Sequence, residues 1–151
     1  MPQLTTYSGR DLSGTLVNVI FGSISLSGIK AEGIEKVMVR MTTSHANLKT
    51  GMDGAVVPSY VPGESGEVEF QVWQTSTIHQ QFLAAYNTIA TAAAAGDVSQ
   101  AFGCTLFMSN TTDGSSHTCT GGTFDKVPDK NYEAEAQVVS WLLKFANIIN
   151  E

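Results

Sequence analysis

Gly66-Glu67-Val68-Glu69-Phe70-Gln71-Val72-Trp73-Gln74-Thr75-Ser76-Thr77-Ile78 is the stretch from which the fold can be read. Its first part alternates. Val68, Phe70 and Val72 point one way, and Glu67, Glu69, Gln71 and Trp73 point the other, as in a strand with one buried face. At Ser76 the period changes. Ile78, Phe82, Ala85, Tyr86, Ile89 and Ala93 recur at helical spacing. Ser76 is a good N-cap, and Gly96 suits the far end. A helix over residues 76–95 is therefore expected directly after a half-buried strand. That helix contains no Asp, Glu, Lys or Arg. A solvated helix normally carries charge on its outer face. This outer face offers Gln80, Gln81, Asn87, Thr88, Thr91 and Ala92, so it reads as a surface built to be covered, with Gln81 and Thr88 as candidate inter-subunit positions. A neutral exposed helix is the alternative.

Upstream, the chain reads as strands. Thr15 to Phe21 is β-branched and aromatic, Gly22-Ser23 offers a turn, and Ile24 to Ser27 alternates. In Lys36 to Thr43, Val37, Val39 and Met41 share one face, with Arg40 and Thr42 on the other. Half-buried antiparallel strands are expected. Downstream, Gly103 to Asn110 and Ser116 to Phe124 read as a hairpin around Thr111-Thr112-Asp113-Gly114. Residues 135–149 suit a long strand or a short helix, and their β-branched and aromatic content favours the strand.

Residues 44–64 differ from both sides. They mix glycines and prolines with isolated apolar residues: Leu48, Met52, Val56, Val57, Tyr60 and Val61. A long structureless loop is uncommon in a compact domain unless it is functional, and those side chains are costly to leave in water. The segment is therefore expected to protrude as a loop or loose hairpin and to bury these residues against a neighbouring subunit. A loop packed on its own domain is the competing reading.

Composition narrows the function. The 151 residues suit one domain. Charged residues make up 15%, against about 25% in typical domains, so surface is either covered by uncharged polar residues or hidden against partners. The net charge of −6, with 8 basic residues, disfavours nucleic-acid binding, which needs Lys and Arg. No signal peptide and no membrane-length apolar run is visible, so a soluble protein made in the cytosol is expected.

Catalytic and metal chemistry find little support. His45, His79 and His117 have no second ligand at metal spacing, and neither a phosphate loop nor a nucleophile elbow is present. No cofactor is expected. Glu67 and Glu69 share a strand face, but nothing in the sequence places them in a cleft. Cys104 and Cys119 fall one diagonal step apart if Asn110 faces Ser115 and Leu106 faces Cys119. Diagonal neighbours lie at roughly 7–8 Å, near or beyond disulfide reach. Two buried or half-buried thiols are expected, with a bond formed in an oxidising medium as the alternative.

One ordered set of motifs adds a resemblance. Gly51-Met52-Asp53-Gly54 is followed by Ser65-Gly66, the alternating strand, Gln74-Thr75-Ser76, and then Gln81-Phe82-Leu83-Ala84-Ala85-Tyr86-Asn87. Leu12 to Val17 and Phe124-Asp125-Lys126-Val127-Pro128 are compatible with the same pattern. This order resembles the tail tube proteins of contractile-tailed bacteriophages. The spacer from Pro58 to Pro62 and the residue order of the last strand depart from it. The resemblance implies a mainly β fold, sandwich or barrel-like, with one flanking helix, as a single tail-tube domain over residues 1–151. It implies a non-enzymatic virion protein whose hexameric rings join their sheets and stack into a hollow tube. The implied partners are copies of itself, a tail sheath protein and other tail proteins. DNA would pass through the lumen without specific binding, and no membrane is involved. Glu67 and Glu69 are then candidate lumen-facing residues that would repel phosphates. Alternatives are the tube of a related injection or secretion machine, a tail terminator, and a monomeric ligand-binding β-barrel.

Overall fold

The computed structural model describes residues 12–26, 34–96, 98, 101–110, 114–135 and 137–151. The elements are β1 (Leu12–Asn18), β2 (Gly22–Ser25), β3 (Ile34–Met41), β4 (Ala46–Thr50), β5 (Val56–Tyr60), β6 (Gly66–Trp73), α1 (Thr77–Ala94), β7 (Cys104–Asn110), β8 (Ser116–Phe124) and β9 (Val138–Asn150). Seven strands form one sheet in the order β2-β1-β7-β8-β9-β6-β3, and β4 and β5 pair separately. All the strand pairings described are antiparallel. The large sheet curls into a half-barrel. The described residues are thus mainly β with one helix, as the sequence indicates.

The alternation in β6 is realised in full. Val68, Phe70 and Val72 are completely buried, and the residues between them are part-exposed. Ser76 then starts α1 by accepting a hydrogen bond from the His79 backbone N–H at 3.3 Å and donating its own hydroxyl to the Trp73 carbonyl at 2.6 Å. The helix lays Ile78, Phe82, Ala85 and Ile89 on the sheet. The Phe82 ring lies 5.4 Å from Phe70, 5.8 Å from Phe124 and 5.9 Å from Trp141 between centroids. These tilted and edge-on contacts add to the area buried by each ring.

The segment that reads as strand or helix is β9, a strand of 13 residues. It lies between β8 and β6 in the sheet, so both of its edges are satisfied and Val139, Trp141, Leu143 and Phe145 alternate inward. The inward set then skips a residue, from Phe145 to Ile148, and β8 makes the same skip from Cys119 to Gly122. The matched irregularity keeps both apolar faces on the core. Gly66 sits on that face too. A Cβ there would run into the Arg40 carbonyl oxygen and Ile148 Cδ1, so only glycine lets β3 and β9 approach from either side.

One boundary departs from the sequence reading. The first turn occupies Val19 to Phe21 rather than Gly22-Ser23, because the Asn18 side chain accepts from the Ile20 N–H at 2.9 Å and pulls the chain round early. Of the expected Thr111-to-Gly114 turn, residues 111–113 lie outside those described. The strands flanking it close as expected, with the Asn110 N–H donating to the Ser115 carbonyl at 2.9 Å.

His79, which the sequence offers only as an isolated histidine near a helix start, is a core residue. Its Nδ1 accepts a hydrogen bond from Trp141 Nε1 at 3.0 Å with both side chains buried. Burial, and secondarily the charge of Lys130, hold its pKa below the ordinary histidine value. The neutral imidazole is therefore the folded form, and its contribution to stability is present at neutral pH. That contribution should fade as pH falls below about 6.5, where the unfolded chain takes up a proton that the folded chain resists. Thermal unfolding followed between pH 7 and 5 should show this loss, and His79→Phe should flatten the profile. Trp141→Phe strands a buried acceptor and should cost about 1–3 kcal/mol at pH 7.

Candidate assembly surfaces

The segment at 44–64 is a two-stranded arm. It continues the β3–β6 hairpin beyond the end of the large sheet. Its joint is tied across both strands. The Thr42 N–H donates to the Ser65 carbonyl at 3.0 Å, the Thr43 and Ser65 hydroxyls meet at 2.6 Å, and the Val61 N–H donates to the His45 carbonyl at 2.8 Å. His45 completes the joint. Its Nδ1 bonds the Val61 carbonyl at 2.8 Å, its Nε2 lies 3.2 Å from a Glu64 carboxylate oxygen, and its ring stacks on Tyr60. The quoted Gly51-Met52-Asp53-Gly54 motif forms the tip. The Asp53 carboxylate accepts from the Ala55 N–H at 3.0 Å, and Gly54 takes a φ of +83° that other residues rarely adopt.

Nothing in the arm is buried. Leu48 is 65% exposed and Tyr60 73%, and Met52, Val56, Val57 and Val61 are also exposed. Strands of five residues reach about 17 Å. The register pairs Ala46 with Tyr60, Leu48 with Pro58 and Thr50 with Val56. Directly paired residues share a face, so one face of the arm carries Ala46, Leu48, Thr50, Val56, Pro58 and Tyr60 and no charge. The other carries Asn47, Lys49, Val57 and Ser59. The reading of 44–64 as a loop packed on its own domain does not hold.

The exposed face of α1 includes Gln81 and Thr88. Thr88 Oγ1 donates to the Ala84 carbonyl and Thr91 Oγ1 to the Asn87 carbonyl, each at 2.8 Å. With those hydroxyls turned into the helix, the methyl groups are left outward. Beside them lies an open depression of about 450 Å³ lined by Ile20, Asn87, Thr88, Thr91, Ala92 and Ala95.

Glu67 and Glu69 lie on the sheet face away from α1, part-exposed, but they are not a bare anionic pair. Arg40 on β3 directly faces Glu67. Its guanidinium lies 3.4 Å from each carboxylate. Lys144, opposite Glu67 on β9, lies 3.3 Å from Asp125. Negative charge on this face is therefore largely balanced. The alternation of residues 36–43 puts Arg40 on the outer face, but only the register shows that it spans both glutamates.

Among the described residues, no group of His, Cys, Asp and Glu could hold a metal ion, and no helix is long and apolar enough to cross a membrane. Cys104 and Cys119 are free and buried. Cys119 faces Leu106 as the spacing predicts, while an irregularity between Cys104 and Leu106 moves Cys104 opposite Gly122. Burial pushes the Cys119 thiol up to about 11 and raises Cys104 as well, the latter opposed by the Asn18 amide donating to its sulfur at 3.3 Å. Both stay protonated and unreactive at neutral pH.

Comparison with known proteins gives a consistent picture. Residues 4–151 match the family model of the bacteriophage PhiTE tail tube protein. Among solved structures, one neighbour is a chain of the sheath-tube complex of an extracellular contractile injection system in its extended state, with TM-score 0.58, 10% identity and coverage of 97% of this chain and 91% of that one. Another is from the sheath/tube terminator of the same system, with TM-score 0.57, 9% identity and 98% coverage of each chain. A third is the tube-terminating cap of the anti-feeding prophage, with TM-score 0.55, 8% identity and coverage of 100% and 94%. Identities this low establish a shared fold alone. No curated protein sequence is significantly similar.

Because the Arg40 pairs are long and part-exposed, they contribute little to folding. Arg40→Ala should lower stability by no more than about 1 kcal/mol in a denaturant titration.

Proposed function

The chain belongs to the bacteriophage PhiTE tail tube protein family, and from that premise we propose that it is a structural, non-catalytic subunit of a phage tail. Copies assemble into hexameric rings, and the rings stack into a hollow tube through which DNA passes during ejection. The observation that carries this reading is the arm. A fully exposed hairpin, braced at its joint and apolar along one face, is unfavourable for a protein that stays monomeric and is explained by burial against another copy. The single domain spans residues 1–151. Leu48, Met52, Val56, Val57, Tyr60 and Val61 make inter-subunit contacts through the arm. Gln81 and Thr88 on the uncharged face of α1 are covered by a neighbouring copy or by the tail sheath.

Sheet edges support the same reading. β2 and β3 are the outermost strands of the large sheet. Open edges invite pairing, and ring closure satisfies them. Glu67 and Glu69 line the lumen in this arrangement. With Arg40 beside them, the wall is close to neutral and presents few free cations to a passing phosphate chain. The protein is made in the host cytoplasm and ends in the virion, in contact with the sheath and other tail proteins. A second reading is the tube or terminator of a related contractile injection machine, favoured by the fold shared with such components.

Negative-stain microscopy of the purified chain tests both readings. Rings and stacked tubes are expected, and a protein that stays monomeric at high concentration overturns the proposal. A tube subunit should elongate without limit, whereas a terminator should stop at one or two rings. Replacing residues 46–60 by a short Gly-Ser turn should leave the sheet and helix folded, with thermal unfolding shifted by only a few degrees, and should abolish stacking.

A further inference from the structure

The outer face of the large sheet, the one away from α1, is divided in two by charge. Its β3, β6 and β9 side carries Arg40, Glu67, Glu69 and Lys144. The strands β1, β2, β7 and β8 contain no Asp, Glu, Lys or Arg at all. Their outward residues are mostly serine and threonine, among which stand large apolar side chains. Phe107 on β7 is 50% exposed, Val17 on β1 38%, and Ile149, where β9 borders β8, 47%. The register sets Thr15, Phe107, Thr118 and Ile149 in one row across four strands, with Val17 diagonal to Phe107. An open depression of about 400 Å³ lies beside Phe107, lined by Ser13, Ser109, Ser116 and Thr118 among others.

We propose that this uncharged half-face is the seat for the arm of a second copy, whose Leu48, Val56 and Tyr60 face packs on Phe107, Val17 and Ile149. The inference rests on the assembly reading above. Shape supports it, because the arm face is a two-stranded sheet about 10 Å wide and 17 Å long, and one sheet face packs on another at about 10 Å. Charge supports it as well. The arm face has no charge, so it desolvates no ion on the neutral half, whereas on the other half it would bury Arg40 and its carboxylate partners without satisfying them. The uncharged face of α1 is the rival seat, but beside Gln80, Gln81 and Asn87 its own apolar surface is alanines and threonine methyls, with Ile20 at the rim, whereas interfaces are anchored by large side chains such as Phe107.

The second copy follows from the geometry. The arm is held off the end of its own sheet, and none of its residues is buried there. Arm and seat are different surfaces of one chain, so the contact is heterologous. Each copy that receives an arm still presents its own, which propagates a ring or a stack. The arm's footprint is on the order of 200 Å², far below the roughly 800 Å² per partner of a standard stable interface. The contact is therefore weak alone and acts together with the other ring contacts.

Photo-crosslinking in assembled protein tests the docking. A benzophenone amino acid replaces Tyr60 on the apolar face or, as control, Asn47 on the opposite face, and isotope-labelled and unlabelled chains are mixed so that adducts between copies are recognised by mass. Position 60 should join peptides spanning residues 105–118 of another copy, and position 47 should not. Adducts to residues 84–95, or only within one chain, overturn the proposal. Phe107→Ser should unfold within a few degrees of the parent yet raise the concentration needed for assembly at least about tenfold. Unchanged assembly of that variant also overturns it. A parent chain that never assembles sinks the tube reading itself, and the docking with it.

Discussion

Phe82 of α1 rests against Phe70, Phe124 and Trp141, side chains contributed by three different strands. The curl of the sheet, the placement of the helix and the burial of β9 depend on that meeting. Removing any of these rings leaves a cavity that neighbours in a close-packed interior fill only partly. The Trp141–His79 hydrogen bond fixes the orientation of the cluster, since the indole N–H needs an acceptor once it is buried. A histidine that reads as chemically idle in the sequence thus serves as a buried polar anchor between helix and sheet.

A well-filled core on one side frees the other side of the sheet, and the outer face of α1, from any duty in folding. Their residues can serve a surface role instead. The outer sheet face separates into a half with balanced charge and a half with none, and α1 turns its hydroxyls inward. The arm takes the same logic further. An isolated pair of five-residue strands is marginal in water at best, so the bracing at Thr42, Thr43, His45 and Ser65 is what keeps it extended while unpartnered. Pro58 faces Leu48 in the arm register and cannot donate to a ladder, which guards an exposed edge against indiscriminate pairing.

The same economy extends to the ionisable groups among the described residues. Glu67 and Glu69 share the single charge of Arg40, and both thiols are buried and protonated. His79 is spent on Trp141 and His45 on the arm joint. These groups are committed to structure.

Much of the architecture is written locally and could be read without coordinates. The two-residue period of β6, the Ser76 cap and the stripe from Ile78 to Ile89 are contacts between near neighbours in sequence, and they set strand and helix within one residue. The exposure of 44–64 was legible from its unpatterned apolar residues, and its Gly-Met-Asp-Gly run proved to be a turn. What depends on pairing between distant segments was not legible. Register placed Arg40 between two glutamates, moved Cys104 opposite Gly122, and made residues 138–150 a strand by giving them neighbours on both sides. It also gathered Val17, Phe107 and Ile149 on one face of the sheet and Leu48, Val56 and Tyr60 on one face of the arm. Sequence alone determined which segments alternate, coil or break, because local sterics and hydrophobic period act over a few residues. Only the tertiary structure decided which surfaces those segments compose, because a sheet joins residues up to a hundred positions apart, and only the strand register says which ones meet.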